Sequence, residues 1–241
     1  MLKFLETKSS TLSDNTFSEK FTGKKVLVIG AGPSVNSVSW ENIEYDCIVT
    51  TTHFYLNDKV RNIKNISHVT LSEIIDFKDE RLHNFLMYNP SCTIALEPVT
   101  GRPFYSSETF LSFEEQYRER LIYYNTTVGK KEGAAGRLNY FVMSFNPAEL
   151  YYVGIDGKSK DSSKDPMGTF RKIQGDIDGY SYDEFKDSHM GMADSLYKCS
   201  LLNGTNIYNL GEGFDFNCSG DYSKIHFPLT DEIKSKINKD N

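Results

Sequence analysis

Lys24-Lys25-Val26-Leu27-Val28-Ile29-Gly30-Ala31-Gly32-Pro33-Ser34 decides the fold: two lysines, four consecutive aliphatic residues, then a turn of glycine, proline and serine. Four apolar residues in a row, with no polar alternation, suit a strand buried on both faces, as in a parallel sheet covered by helices. Gly30 permits a tight strand-to-helix turn, and Gly32 a close backbone approach. Pro33 fits the first position of a helix, where its missing N–H costs nothing. The free N–H groups and positive dipole end of a helix start there offer a seat for an anion. The stretch predicts a nucleotide or phosphate site at the carboxyl end of the first buried strand, built from Gly30, Ala31, Gly32 and Ser34.

Outward from it, apolar runs recur at Cys47-Ile48-Val49, His68-Val69-Thr70-Leu71, Cys92-Thr93-Ile94-Ala95-Leu96, 150–155 and 206–210. Helical patterns lie between them: Ser72 to Phe77 continuing over 79–88, Ser107 to Tyr124, Gly136 to Phe145, and Asp187 or Ser188 to Leu202. Asn146-Pro147 and Asn203-Gly204 stop the last two. Strands alternating with helices give the fold class expected: α/β, a Rossmann-like open, mostly parallel sheet flanked by helices. Residues 1–22, rich in Ser, Thr, Lys and Glu, read as a polar N-terminal arm, and residues 23–241 as a single domain. Residues 157–187 are aperiodic and rich in Gly, Asp, Ser and Lys. They read as a long loop or lid after the fifth core strand, on the edge where open α/β sheets take ligands. His68 reads as a strand-edge residue, and Tyr117-Arg118-Glu119-Arg120 as a solvated helix face.

The 241 residues, 39% hydrophobic and 25% charged, are enough for one well-packed domain. A net charge of −6 argues against a general nucleic-acid binder. The four cysteines, Cys47, Cys92, Cys199 and Cys218, form no CxxC pair and no metal-ligand spacing. No metal site is expected from them, and a reduced, cytoplasmic chain is. There is no signal-peptide run and no apolar stretch of about 18 residues, so no transmembrane segment is expected. A homo-oligomer is compatible with all of this.

The glycine turn is not a dinucleotide fingerprint. Val35 stands where the third glycine or alanine belongs, and the second strand ends Thr50-Thr51-Thr52 with no carboxylate for ribose hydroxyls. Enzymes of NAD, FAD or S-adenosylmethionine would show one, and no Walker Gly-Lys-Ser/Thr is present either.

Gly-x-Gly-Pro-Ser after an apolar strand resembles the bacterial CMP-sialic-acid-dependent sialyltransferases, and a related group of motility accessory factors and pterin pyrophosphokinases. Three further stretches are similar to the sialyltransferases: His53-Phe54-Tyr55-Leu56-Asn57-Asp58-Lys59 after the second strand; Ala134-Ala135-Gly136 opening a helix that leads to Gly154-Ile155-Asp156; and His189, five residues before Asp194, at the next helix start. The resemblance implies a glycosyltransferase that moves a sugar, sialic acid or a related nonulosonic acid, from a CMP-activated donor to a glycan hydroxyl. It places the nucleotide over Gly30–Gly32 and in contact with Gly133–Gly136, which include Ala134, Ala135 and Gly136. Thr52 and His53 at the mouth, and Asp156 at the strand end on the ligand edge, are further candidates for ligand contact. His189 would be the general base, since an imidazole near neutral pKa can take the proton of a poorly nucleophilic sugar hydroxyl. No metal or cofactor is required if tyrosine hydroxyls and helix dipoles neutralise the leaving phosphate. Partners would be the nucleotide-sugar donor and a glycan acceptor.

The chain departs from that group at Thr52, where the group has asparagine, and at Ala134-Ala135, where it has Thr-Ser. The group's tyrosines after Gly-Ile-Asp are replaced by Gly157-Lys158-Ser159-Lys160, with Tyr180 and Tyr182, or Arg171 and Lys172, as the candidate substitutes from the long loop. Two other readings stand beside the first. One is a Mg-dependent pyrophosphokinase-like phosphotransferase with Asp156, Asp161 and Asp165 around its metal. The other is a non-catalytic nucleotide- or glycan-binding module, favoured by the departures at Ala134-Ala135 and Thr52.

Overall fold

In a computed structural model, residues 2–5, 14–32, 34–71, 75–96, 107–126, 133–155, 196–211 and 229–238 are described. In chain order the strands are β1 (Leu2–Leu5), β2 (Lys25–Ile29), β3 (Cys47–Thr51), β4 (Ile66–Leu71), β5 (Thr93–Leu96), β6 (Leu121–Thr126), β7 (Glu149–Val153) and β8 (Asn206–Asn209). The helices are α1 (Asp14–Phe21), α2 (Ser34–Ser37), α3 (Asp58–Arg61), α4 (Glu80–Tyr88), α5 (Glu108–Tyr117) and α6 (Gly133–Met143), followed by helical residues 196–203 and a C-terminal helix Asp231–Ile237.

The strands form one sheet in the order β1-β6-β5-β4-β3-β2-β7-β8. Every neighbouring pair is parallel except β1 with β6. The expected open, mostly parallel α/β sheet is therefore present. The continuous apolar run explains itself in the packing, because successive side chains of β2 enter opposite layers. Leu27 and Ile29 join Val35, Trp40, Phe54 and Val153 on one face. Val26 and Val28 join Phe17, Leu138, Phe141 and Leu150 on the other. All four residues are fully buried, each burial stabilising the fold by roughly 1.5–3 kcal/mol.

From β2 the chain steps outward through β3, β4, β5 and β6, then returns to place β7 on the opposite side of β2. The carboxyl ends of β2 and β7 thus flank the topological switch point, the position where open α/β sheets bind ligands.

The structure corrects several sequence expectations. Residues 1–22 do not read as a separate polar arm: Leu2–Leu5 adds an antiparallel edge strand to β6, and Phe17 and Phe21 of α1 are fully buried. Their spacing of four residues puts both on one helix face, and that apolar pair outweighs the polar composition around it. The helix expected to Tyr124 ends at Tyr117, passes through a short 3-10 turn at Arg118–Arg120, and becomes β6. Leu121 continues the helical phase, yet Leu121-Ile122-Tyr123-Tyr124 is also the apolar, aromatic run of a buried strand. β7 is consequently the sixth parallel strand, not the fifth, ahead of residues 157–187, which lie outside the described residues. His68 is no edge residue but fully buried in β4.

Tyr117-Arg118-Glu119-Arg120 is only partly a solvated face. Tyr117 is buried, its hydroxyl 2.7 Å from His83 Nδ1. Arg120 Nη1 donates to the carbonyls of Leu86, Asn89 and Pro90 at 2.9–3.2 Å. That guanidinium holds the C-terminal end of α4, where carbonyls lack helical partners.

Candidate functional site

The turn after β2 is built with two glycines, Gly30 and Gly154, each the residue just after a strand. Gly30 N–H donates to Val153 O at 2.8 Å, Gly32 N–H donates to Gly154 O at 2.8 Å, and Gly154 N–H donates to Ser34 Oγ at 2.8 Å. A Cβ on Gly30 would come within 2.2 Å of Gly154 O. One on Gly154, whose φ is +72°, would come within 2.4 Å of Val35 Cγ2. The glycine of Gly154-Ile155-Asp156 is thus part of the same cradle, a role the sequence reading did not assign to it. Its one signal was a glycine immediately after a strand on the ligand edge.

These bonds alter how the cradle can work. The amides of Gly30 and Gly32 are committed to β7 and its exit, and α2 is a single turn of four residues. Its dipole is correspondingly small, because the macrodipole is a sum over aligned peptide units. The longer α6 is better placed to carry that role. Asn146 O, just after its C-terminal end, accepts from Gly23 N–H beside the start of β2 at 3.0 Å. That end lies at the amino edge of the sheet, so the N-terminal turn of α6 lies toward the carboxyl edge with the cradle. Ala134 and Ala135 contribute backbone there, and Gly136 is buried. No acidic residue occupies the first turn of α6.

β3 brings the third wall. Thr50 Oγ1 donates to Ile29 O at 2.7 Å, and Thr51 Oγ1 donates to Thr70 O at 3.0 Å, tying β3 to both neighbours. Thr52, buried and 3.3 Å from the Thr51 hydroxyl, has φ +42°. A β-branched residue in left-handed space is strained, and such strain concentrates at functional sites. His53 follows, buried in a 3-10 turn with Phe54 and Tyr55. Asn57 then caps α3 by accepting from Lys59 N–H at 3.0 Å. Lys59 Nζ reaches Glu41 at 2.7 Å and lies 5.1 Å from the Trp40 ring centroid. Burial, with Asp79 and Asp76 adding to it, pushes the Tyr55 hydroxyl well above its usual range, so it stays protonated.

Asparagine tolerates left-handed backbone far better than threonine. Thr52→Asn should therefore raise stability by about 1 kcal/mol in chemical denaturation. A loss would show that the Thr52 side chain contributes more than its backbone strain costs.

The fold therefore brings Gly30, Ala31, Gly32, Ser34, Thr52 and His53 together at the carboxyl ends of β2 and β3, with the start of α6 on the same edge. Asp156, Tyr180, Tyr182 and His189 lie outside the described residues, as do Asp161 and Asp165.

Neither a family model nor a curated protein sequence matches the chain. Solved structures do. The monofunctional α-2,3-sialyltransferase Cst-I of Campylobacter jejuni is similar over 95% of this chain and 86% of its own, at 15% identity and a TM-score of 0.56. The chain has the fold of this solved structure. An α-2,3-sialyltransferase of the same organism in apo form gives a TM-score of 0.51 at 16% identity, covering 92% of this chain and 83% of its own. A variant of the sialyltransferase CST-II, in complex with CMP, gives 0.51 at 14% identity, covering 86% of this chain and 90% of its own. Among the described residues no helix is long and apolar enough to cross a membrane.

Proposed function

We propose that the chain is a metal-independent glycosyltransferase that moves sialic acid, or a related nonulosonic acid, from a CMP-activated donor to a glycan hydroxyl. The observation that carries this reading is the cradle at the switch point, in a fold whose similar solved structures include a sialyltransferase in complex with CMP. The Gly30–Ser34 turn and Thr52 would wall the nucleotide. The N-terminal amides of α6, from Ala134 to Gly136, would face the phosphate, where fixed donors count most.

In the reaction, His189 takes the proton from the acceptor hydroxyl as its oxygen attacks the anomeric carbon. The bond from that carbon to the phosphate oxygen breaks, and CMP leaves with the electron pair. Tyr180 and Tyr182 would donate hydrogen bonds to the departing phosphate, and Asp156 would orient the donor at the exit of β7.

A thermal-shift panel of CMP, CDP, UDP, ATP with Mg²⁺ and NAD tests the donor class, since a ligand binding only the native state raises its melting point. CMP should stabilise the chain. A response to ATP with Mg²⁺ and none to CMP would favour the phosphotransferase reading instead. His189→Ala should lower transfer by about 10²–10⁴-fold, the usual contribution of a general base, while CMP affinity stays within about twofold because the base faces the acceptor. Undiminished turnover in that variant removes His189 from the mechanism, and turnover lost to EDTA removes the metal-independent part.

A further inference from the structure

Resting on that reading of the site, we infer that Ser34 is a positioning residue, whose hydroxyl fixes the path by which the chain leaves β7 through Gly154 and Ile155. Ladder pairing between β2 and β7 runs as far as Ile29 with Val153, closed by the bond from Gly30 N–H to Val153 O. One residue later, Gly154 turns into left-handed space at φ +72°, and its N–H no longer faces a strand carbonyl. The Ser34 hydroxyl supplies the acceptor instead, at 2.8 Å and across 120 residues of sequence. Its partner Gly32 takes the other polar group of the same residue, donating to Gly154 O at 2.8 Å.

Both polar groups of Gly154 are thus held by one turn, and no Cβ fits on either facing glycine. A buried N–H must find an acceptor, and here it is a side chain only 4% exposed. Serine suits the position: it is short enough to reach from a one-turn helix, and it carries an oxygen that alanine lacks. Through Gly154 the clamp sets the direction of Ile155, the next residue at the exit of β7. A sequence motif read as a ligand cradle is, at this residue, a joint between two loops of the site.

The test combines amide exchange with CMP titration on the full chain. In wild type, the Gly154 amide should be protected at least 100-fold over an unstructured peptide. In Ser34→Ala, exchange of Gly154 should accelerate at least tenfold and the Kd for CMP should rise at least tenfold, while the β2 amides keep their protection. Ser34→Thr, which keeps the oxygen, should recover most of both. Thr205→Val serves as the control, since it removes another buried hydroxyl bond, to Pro147 O at 2.6 Å, at the amino edge of the same sheet. It should leave Gly154 exchange unchanged and CMP affinity within twofold. An unprotected Gly154 in wild type overturns the proposal without any variant, and so does equal Gly154 exchange in Ser34→Ala and Thr205→Val. Failure of wild type to bind CMP overturns the donor assignment, whereas Gly154 exchange still decides the clamp.

Discussion

Gly154→Ala should be the most damaging single-atom-group addition in the described part of the molecule, lowering stability by roughly 3–5 kcal/mol. Two costs combine. The residue sits at φ +72°, where a side chain alone costs on the order of 1–2 kcal/mol. The added methyl would also lie 2.4 Å from Val35 Cγ2 and 2.9 Å from the Gly30 carbonyl. Val35 is fully buried and belongs to the larger core cluster, so it cannot swing into solvent to make room. Overpacking of this kind costs about 1–3 kcal/mol when side chains can yield, and more when backbone must. Against a total of about 5–15 kcal/mol for a domain, the loss should show as a large drop in the urea midpoint or as aggregation on expression. Gly30→Ala should follow it closely, because its methyl meets the Gly154 carbonyl oxygen at 2.2 Å. Gly204→Ala is the control. It shares a left-handed φ of +70° but has nothing within 4 Å of the added atom, so it isolates backbone strain from crowding. If Gly154→Ala and Gly204→Ala lose the same stability, crowding at the cradle is not what makes Gly154 obligatory.

That pair of glycines also shows what the sequence could and could not convey. The strand ending at Ile29, the turn after it and the parallel sheet were legible because each has a local signature: an unbroken apolar run, then residues with special backbone freedom. The reason Gly30 must be glycine was not legible. It lies in Gly154, far away along the chain, and only the pairing of β2 with β7 brings the two together.

β6 was missed for a related cause. Tyr117 to Leu121 keeps the four-residue phase of a helix, and sequence periodicity does not distinguish a helix that continues from one that ends in a strand. What decides is tertiary. Leu121 pairs with Ile94, and Arg120 ties the turn to the carbonyls at the end of α4. In the site, residue types and order were legible at Gly30, Ser34, Thr52 and His53. Ser34's bond to Gly154 and the left-handed backbone of Thr52 were not, since neither has a local marker.

The second large effect concerns acid. Below about pH 6.5 the chain should lose stability because of His68, by roughly 2 kcal/mol between pH 7 and pH 5. The imidazole is fully buried in β4 and stacked on Phe141, ring centroids 4.7 Å apart, with Phe17 and Phe21 at its edges. Nδ1 lies 2.8 Å from Thr93 Oγ1, and Nε2 lies 3.3 Å from Thr70 Oγ1. Both partners are neutral. Burial holds the pKa well below its usual value, and the positive Lys20 adds to the effect.

Lys20 itself is fixed nearby, donating to Ser67 O at 3.2 Å. The thiols that interact with it, Cys47 and Cys92, are pushed up to about 12 by burial and carry no compensating charge at neutral pH. The direction follows from proton counts. The folded state keeps His68 neutral, whereas the unfolded state binds a proton below its ordinary pKa near 6.5. Unfolding therefore takes up a proton in acid, and stability falls with pH from 6.5 downward until the depressed folded pKa is reached. The limiting slope is about 1.36 kcal/mol per pH unit for one group.

Urea unfolding of wild type and His68→Asn from pH 5 to pH 8 separates this group from the carboxylates that also titrate in acid. The variant is less stable at pH 7, since it forfeits the stacking on Phe141, but its curve should be flatter by roughly 2 kcal/mol over that range. Parallel curves would mean that His68 is protonated in the fold or masked by another group. Because the imidazole lies on the α1 and α6 side of the sheet, among the residues packed beneath Phe141, acid should loosen that layer before the opposite one. Amide exchange in α6 should then rise ahead of that in α4 as the pH is lowered.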